Sequence, residues 1–248
     1  MKYIPWIIIA IVLAGFAYYQ HDLRRTAPVF ESSGAEFVSG GVNRDGIKAL
    51  TDPEYESIWA ADTHLSDDGL GIMVGEGGQV YFYPLVILSW HQVINETIAG
   101  KPIVITYCPL CHASLVFERT FEDQILEFAV SGQLLDNNMV MFDRETESLW
   151  PQLKSVSELT TYPSSQITFG QFKELYPNGQ VLSRDTGYDL DYTQDPYWQY
   201  YESDDIMFPL STIDGRLPSK EMVYFDEIPS YWFCWVAAFP GTNLLTDL

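Results

Sequence analysis

Five consecutive residues, Cys108-Pro109-Leu110-Cys111-His112, hold the densest chemistry in this chain. Two thiols three positions apart can converge on one metal ion or close a small reactive disulfide. As thiolates they ligate soft metals, zinc or copper, and then need partners from the four histidines, His21, His64, His91 and His112. His112 adjoins the pair and His91 precedes it by one short connection, so the candidate metal set is Cys108, Cys111, His91 and His112. A thioether from Met139 or Met141 would favour copper over zinc. Taken alone, His91 reads as a hydrogen-bonded structural histidine.

The same pair can cycle between dithiol and disulfide, which makes Cys108 and Cys111 the candidate catalytic residues of an oxidoreductase. A thioredoxin-type site lowers its thiol pKa with a helix N-terminus or a neighbouring cation. Here a strand follows, and only Lys101 and Arg119 are near in sequence. A third use is a plain structural disulfide in an interaction module that binds a protein partner. The string also matches the Cys-x-x-Cys-His attachment signature of c-type haem. Ala113-Ser114-Leu115-Val116-Phe117 reads as a strand rather than a helix, which disfavours haem. Asp143, Arg144 and Trp150 either line the same cleft, or Asp143 and Arg144 pair as ions at a turn.

The elements that must carry these residues are strands. Ile103 to Tyr107 is a β-branched run, the mark of a buried strand, and it delivers Cys108 at its end. Ile72-Met73-Val74 and Val80-Tyr81-Phe82-Tyr83 flank Gly75-Glu76-Gly77-Gly78, a hairpin with a glycine-rich turn. Leu85 to Val93 makes one or two helical turns carrying His91. Ser114 to Phe117, Ile125 to Val130 and Met139 to Phe142 continue the strands, and Thr168 caps a short helix through Leu175. The fold class is therefore mainly β, with α+β left open: a compact antiparallel sheet domain with few short helices, plus an N-terminal transmembrane helix. If the Val80–Tyr83 and Ile103–Tyr107 strands are neighbours, His91 comes close to the dithiol.

Composition bounds the rest. Of 248 residues, 34 are acidic and 13 basic, a net charge of −21, which repels phosphate backbones and argues against nucleic acid as a partner. Aromatic residues make up 15%, with 16 Tyr and 7 Trp, a composition suited to strands and half-buried surfaces. Cys234 makes the cysteine count three, too few for a disulfide-stapled scaffold. From Asp185 to Asp205 six aspartates interleave with six aromatic residues; this reads as a solvated loop pinned by aromatic anchors.

Tyr3 to Tyr19 carries no charge and is centred on Ile7, Ile8, Ile9, Ile11, Val12 and Leu13. A membrane-crossing helix needs roughly 17–25 such residues. Residues 1–25 are read as an anchor or signal segment, 26–41 as a Ser/Gly-rich linker and 42–248 as a β-rich extracytoplasmic domain. The membrane is then a partner through the N-terminal helix; cleavage of residues 1–17 would make the protein secreted instead.

Gly40-Gly41-Val42-Asn43-Arg44-Asp45-Gly46-Ile47, Tyr83-Pro84-Leu85, His91, Asn95, Val104-Ile105-Thr106-Tyr107-Cys108-Pro109-Leu110-Cys111 and Met141-Phe142-Asp143-Arg144 together resemble a family called domain of unknown function 3179. Ser131-Gly132, Ser148-Leu149-Trp150, Thr186-Gly187 and Asp195-Pro196-Tyr197 extend the resemblance to the C-terminal part. It implies exported or membrane-anchored proteins of bacteria and archaea, with no activity to carry over. It also implies Gly or Asn as frequent occupants of position 112, which weakens His112 as a ligand, and places His91 and Asn95 on motif positions. Gln92 stands where the family tends to be acidic and Glu96 where it tends to carry Asp.

Overall fold

The computed structural model describes residues 36–211, 217–225 and 232–235. The apolar segment read as an anchor or signal lies outside the described residues. Among the described residues no helix is long and apolar enough to cross a membrane.

Three sheets stack as layers. The middle one runs in the order Leu50–Thr51, Val93–Ile98, Lys101–Cys108, Ala113–Glu118. The first pair is parallel and the others antiparallel. On one side lies an antiparallel sheet of Val38–Ser39, Phe128–Leu135, Asn138–Asp143 and Leu149–Pro151. On the other lies a five-stranded sheet in the order Ser164–Thr168, Leu70–Glu76, Gln79–Pro84, Gln180–Leu182, Tyr55–Ser57. The mainly β expectation holds: the α-helices among the described residues are four to seven residues long. The expected linker 26–41 ends inside the fold, because Val38–Ser39 pairs with Leu134 and Gln133.

The middle position explains the apolar run Ile103-Val104-Ile105 within Lys101–Cys108. Strand side chains alternate faces, and here both faces are covered, so both are mostly apolar; the one buried polar exception, Thr106, is satisfied by the Leu115 carbonyl and Gln152. Val104 and Cys108 pack with Phe128, Met139, Met141 and Trp150 of the first outer sheet. Ile103, Ile105 and Tyr107 pack instead with Ile72, Val74, Tyr83 and Leu182 of the second. Removing each such Val or Ile side chain from water stabilises the fold by roughly 1.5–3 kcal/mol. Asn95, among the family-like residues, joins layers: its side chain donates to the Phe128 carbonyl and accepts from the Phe128 N–H, both at 2.8 Å.

The turns obey local chemistry. Gly77 and Gly78, at φ 61° and 83°, close the Leu70–Glu76/Gln79–Pro84 hairpin, the two positive φ values that a tight hairpin turn requires. Thr168 and Gln171 form a reciprocal capping box on the helix Phe169–Leu175. Gly132 sits in the register shift of Phe128–Leu135 at φ 77°, with the Val42 carbonyl 2.3 Å from where a Cβ would stand, so a side chain is excluded there.

Candidate functional site: a buried dithiol hairpin

Cys108 is the last residue of its strand and pairs with Ala113, the first of the next. Pro109 to His112 are thus the loop of a β-hairpin. The Cys111 N–H donates back to the Cys108 carbonyl at 3.3 Å, with Pro109 at the second turn position, where its fixed φ is favourable. His112 closes the loop at φ 55°, the left-handed region. The motif therefore stands on a strand-to-strand turn, with no helix behind it to polarise the thiol.

A second turn takes over that task. Asp136 and Asn137, at φ 51° and 60°, connect Phe128–Leu135 to Asn138–Asp143 in the neighbouring sheet and press onto the dithiol loop. The Met139 N–H donates to the Cys108 sulfur at 3.3 Å. The Asn138 side-chain amide donates to the Cys111 sulfur at 3.2 Å and to Gln152 at 2.8 Å. Asn137 donates to the Leu110 carbonyl at 2.9 Å, and the Cys108 thiol faces the Asn137 carbonyl at 3.8 Å. Gln152 then holds Thr106 and the Ala113 carbonyl, at 2.9 and 3.1 Å.

Cys108 and Cys111 are unbridged and each is 1% exposed. Burial, the strongest influence on Cys108, pushes its thiol up. The Cys111 thiol and the N–H groups of Met139, Cys111 and Leu110 together outweigh burial and leave it below its ordinary value. Hydrogen bonds aimed at one sulfur thus favour the thiolate without any cation.

The acidic aromatic segment forms a cap over this end, as the loop-and-anchor reading expects. Tyr200, on the short helix Trp198–Tyr201, donates to the Leu110 carbonyl at 3.1 Å and accepts from Asn137 at 3.3 Å. Tyr201 meets the Tyr107 hydroxyl at 3.2 Å, and Gln92 donates to Tyr197 at 3.0 Å. Its aspartates are mostly at the surface.

His91 is fully buried and engaged elsewhere. Its Nδ1 donates to the Lys48 carbonyl at 2.7 Å, which leaves Nε2 to accept from Tyr192 at 2.5 Å; burial lowers its pKa and suits this neutral form. The strands Gln79–Pro84 and Lys101–Cys108 are not the expected neighbours but belong to different sheets; Val93–Ile98, which follows His91, does pair with Lys101–Cys108, yet both imidazole nitrogens are taken by Lys48 and Tyr192. His112 stays beside the pair, its ring edge-on between Tyr107 and Tyr201, and burial lowers its pKa to about 4. Among the described residues no group of three or more His, Cys, Asp or Glu side chains converges as a metal site.

Asp143 and Arg144 neither pair with each other nor line the dithiol. Asp143 is buried and accepts from Trp150 Nε1 at 2.8 Å and from Thr146; Arg144 is bonded to Glu127 and Asp45 at 3.2 and 3.1 Å. Asp143 ends the strand Asn138–Asp143 and Arg144 opens the turn that follows, so the two side chains find separate partners. The residues that sequence reasoning missed are Asn137, Asn138, Gln152 and the Met139 amide. The Asp136-Asn137 hairpin signal was readable; its landing on the Cys loop of another sheet was not.

The layers and the clamped turn define a class: a mainly β protein whose three largest sheets are layered, with a hydrogen-bonded, capped Cys-Pro-Leu-Cys hairpin at its centre. The sequence matches the family model described as protein of unknown function (DUF3179) over residues 44–228, and the chain belongs to that family. No curated protein and no solved structure matches it.

Proposed function

We propose that this chain is a thiol–disulfide redox protein whose Cys108 and Cys111 exchange electrons with a partner disulfide. The observation that carries the reading is the geometry of an unbridged, buried Cys108–Cys111 pair whose sulfurs accept from the Met139 N–H at 3.3 Å and the Asn138 amide at 3.2 Å, donors that favour a thiolate. The Cys108 thiolate attacks one sulfur of the partner disulfide, forming a mixed disulfide and releasing the first partner thiolate. Cys111 then loses its proton and attacks Cys108, closing the Cys108–Cys111 bridge and releasing the second thiolate. The protein gives up two electrons and the partner disulfide takes them; the reverse sequence donates a disulfide. Because both sulfurs are covered, the Tyr197–Tyr201 cap opens for each exchange. The apolar segment Tyr3–Tyr19 would hold the domain at a membrane, outside the cytoplasm, where disulfides persist.

Thiol trapping across a redox series tests this. The pair should change state at a potential of roughly −270 to −120 mV, the range of exchange proteins. A pair that stays wholly reduced or wholly oxidised across that range overturns the reading.

A second reading, soft-metal binding, is favoured by the shared cluster of Cys108, Cys111, Met139 and Met141. All four are soft donors and suit monovalent copper, whereas a structural zinc site calls for four ligands. Metal analysis of the purified chain and of its Cys108→Ser/Cys111→Ser variant decides it. Copper at one per chain, lost in the variant, supports the reading, and equal trace metal in both refutes it.

A further inference from the structure

A cleft of about 270 Å³ opens on the face of the middle sheet away from the sulfurs. Tyr107 reaches it from the strand that ends in Cys108, and strand alternation sends the two side chains to opposite layers. The cleft is therefore separate from the dithiol, although Tyr107 and His112 are sequence neighbours of the two cysteines.

Its walls combine three features. Phe82, Leu85 and Phe169 make an apolar side. The tyrosine rings of Tyr107 and Tyr201 stand at the inner end. Asp195 and Asp68 bring carboxylates, and among the described residues no lysine or arginine lines the space. Asp195 is half-buried, and burial raises its pKa; the bonds it accepts through both oxygens, from Ser89 at 2.6 Å and the Tyr197 N–H at 2.8 Å, oppose that rise and favour the carboxylate. His112, with its pKa lowered to about 4, adds no positive charge at neutral pH. An anion placed here would meet two like charges without a donor cation, whereas an organic cation meets carboxylates and aromatic faces, both attractive to it.

We infer that this cleft binds a small organic cation, an apolar ring or short chain ending in a protonated amine. The apolar part lies against Phe82, Leu85 and Phe169 and the ammonium beside Asp195. The volume admits one ring-sized group and falls below that of common drug-sized pockets.

Titrating the full-length chain with benzylamine, benzyl alcohol and benzoate, followed by NMR, tests this. Benzylamine should bind saturably, shift the Tyr107 and His112 signals, and bind at least tenfold more tightly than benzoate. Asp195→Asn should bring benzylamine down to the level of benzyl alcohol and leave benzyl alcohol unchanged. If Asp195→Asn does not fold, Asp68→Asn at the exposed rim should weaken benzylamine alone. The Cys108→Ser/Cys111→Ser variant should bind benzylamine as the parent does, so the result is read apart from any dithiol chemistry. Equal affinity for the three compounds, no saturable binding at millimolar concentration, or shifts confined to other residues would overturn the inference.

Discussion

The backbone N–H of Met139 donates to the sulfur of Cys108 across 3.3 Å, from one β-sheet to the next. Because the donor is an amide of a paired strand, side-chain substitution leaves it in place. It does for Cys108 what a helix N-terminus does in other dithiol sites, supplying a fixed partial positive charge where the thiolate forms.

Cys108 should therefore ionise below a free thiol, and Cys111 should contribute to that. Thiolate absorbance followed against pH in Cys111→Ala should show a Cys108 pKa above that of the parent chain, since the Cys111 thiol is the strongest of the donors that oppose burial. An unchanged value would assign the whole effect to the backbone amides.

Asn138→Ala should cost about 1–3 kcal/mol of folding stability, the penalty for leaving buried polar groups unpaired. The Asn138 side chain donates to Cys111 and Gln152 and accepts from the Leu153 N–H at 3.1 Å, all in the interior. Urea unfolding measures the loss. A cost below a few tenths of a kcal/mol would mean that the turn does not clamp the loop.

The strands and the dithiol were legible because both depend on neighbours in sequence: β-branched runs, Gly77-Gly78, the Thr168 cap and the Cys-Pro-Leu-Cys spacing. The assignment of His91 was not. Its distance from Cys108 along the chain is short, yet the helix Leu85–His91 turns it toward Lys48 and Tyr192, and no local pattern encodes that. Likewise Asn138 carries no signal of its own beyond turn punctuation; only the stacking of two sheets brings it to a sulfur. The left-handed φ of His112 does have a local trace, since Gly and Asn take that conformation most readily.

Tyr200→Phe should expose the dithiol. The hydroxyl bonds Leu110 and Asn137, the residues that flank the sulfurs, and its removal costs about 1 kcal/mol of cap stability. When opening is fast relative to labelling, reactivity follows the open population, so alkylation of Cys108 and Cys111 should quicken about fivefold. Mass spectrometry of maleimide-treated protein reads this, and an unchanged rate would mean that the sulfurs are reached by another route.

Acid should weaken the fold through the buried histidines. His112 is held to about 4, while an unfolded histidine titrates near 6.5, so the unfolded chain binds a proton at higher pH than the folded one. Stability is then fully present above the unfolded value and falls as pH drops from about 6.5 toward 4, by roughly 1–3 kcal/mol for this residue. His91, whose pKa is also lowered by burial, adds a loss of the same sign. Asn tolerates the φ of 55° at position 112 and does not titrate, so His112→Asn should flatten part of the slope and leave the His91 share. Urea midpoints at pH 7.5 and 4.5 for both proteins measure the difference. Equal slopes would show that His112 is protonated without strain in the folded chain, and that its ring between Tyr107 and Tyr201 is open to water.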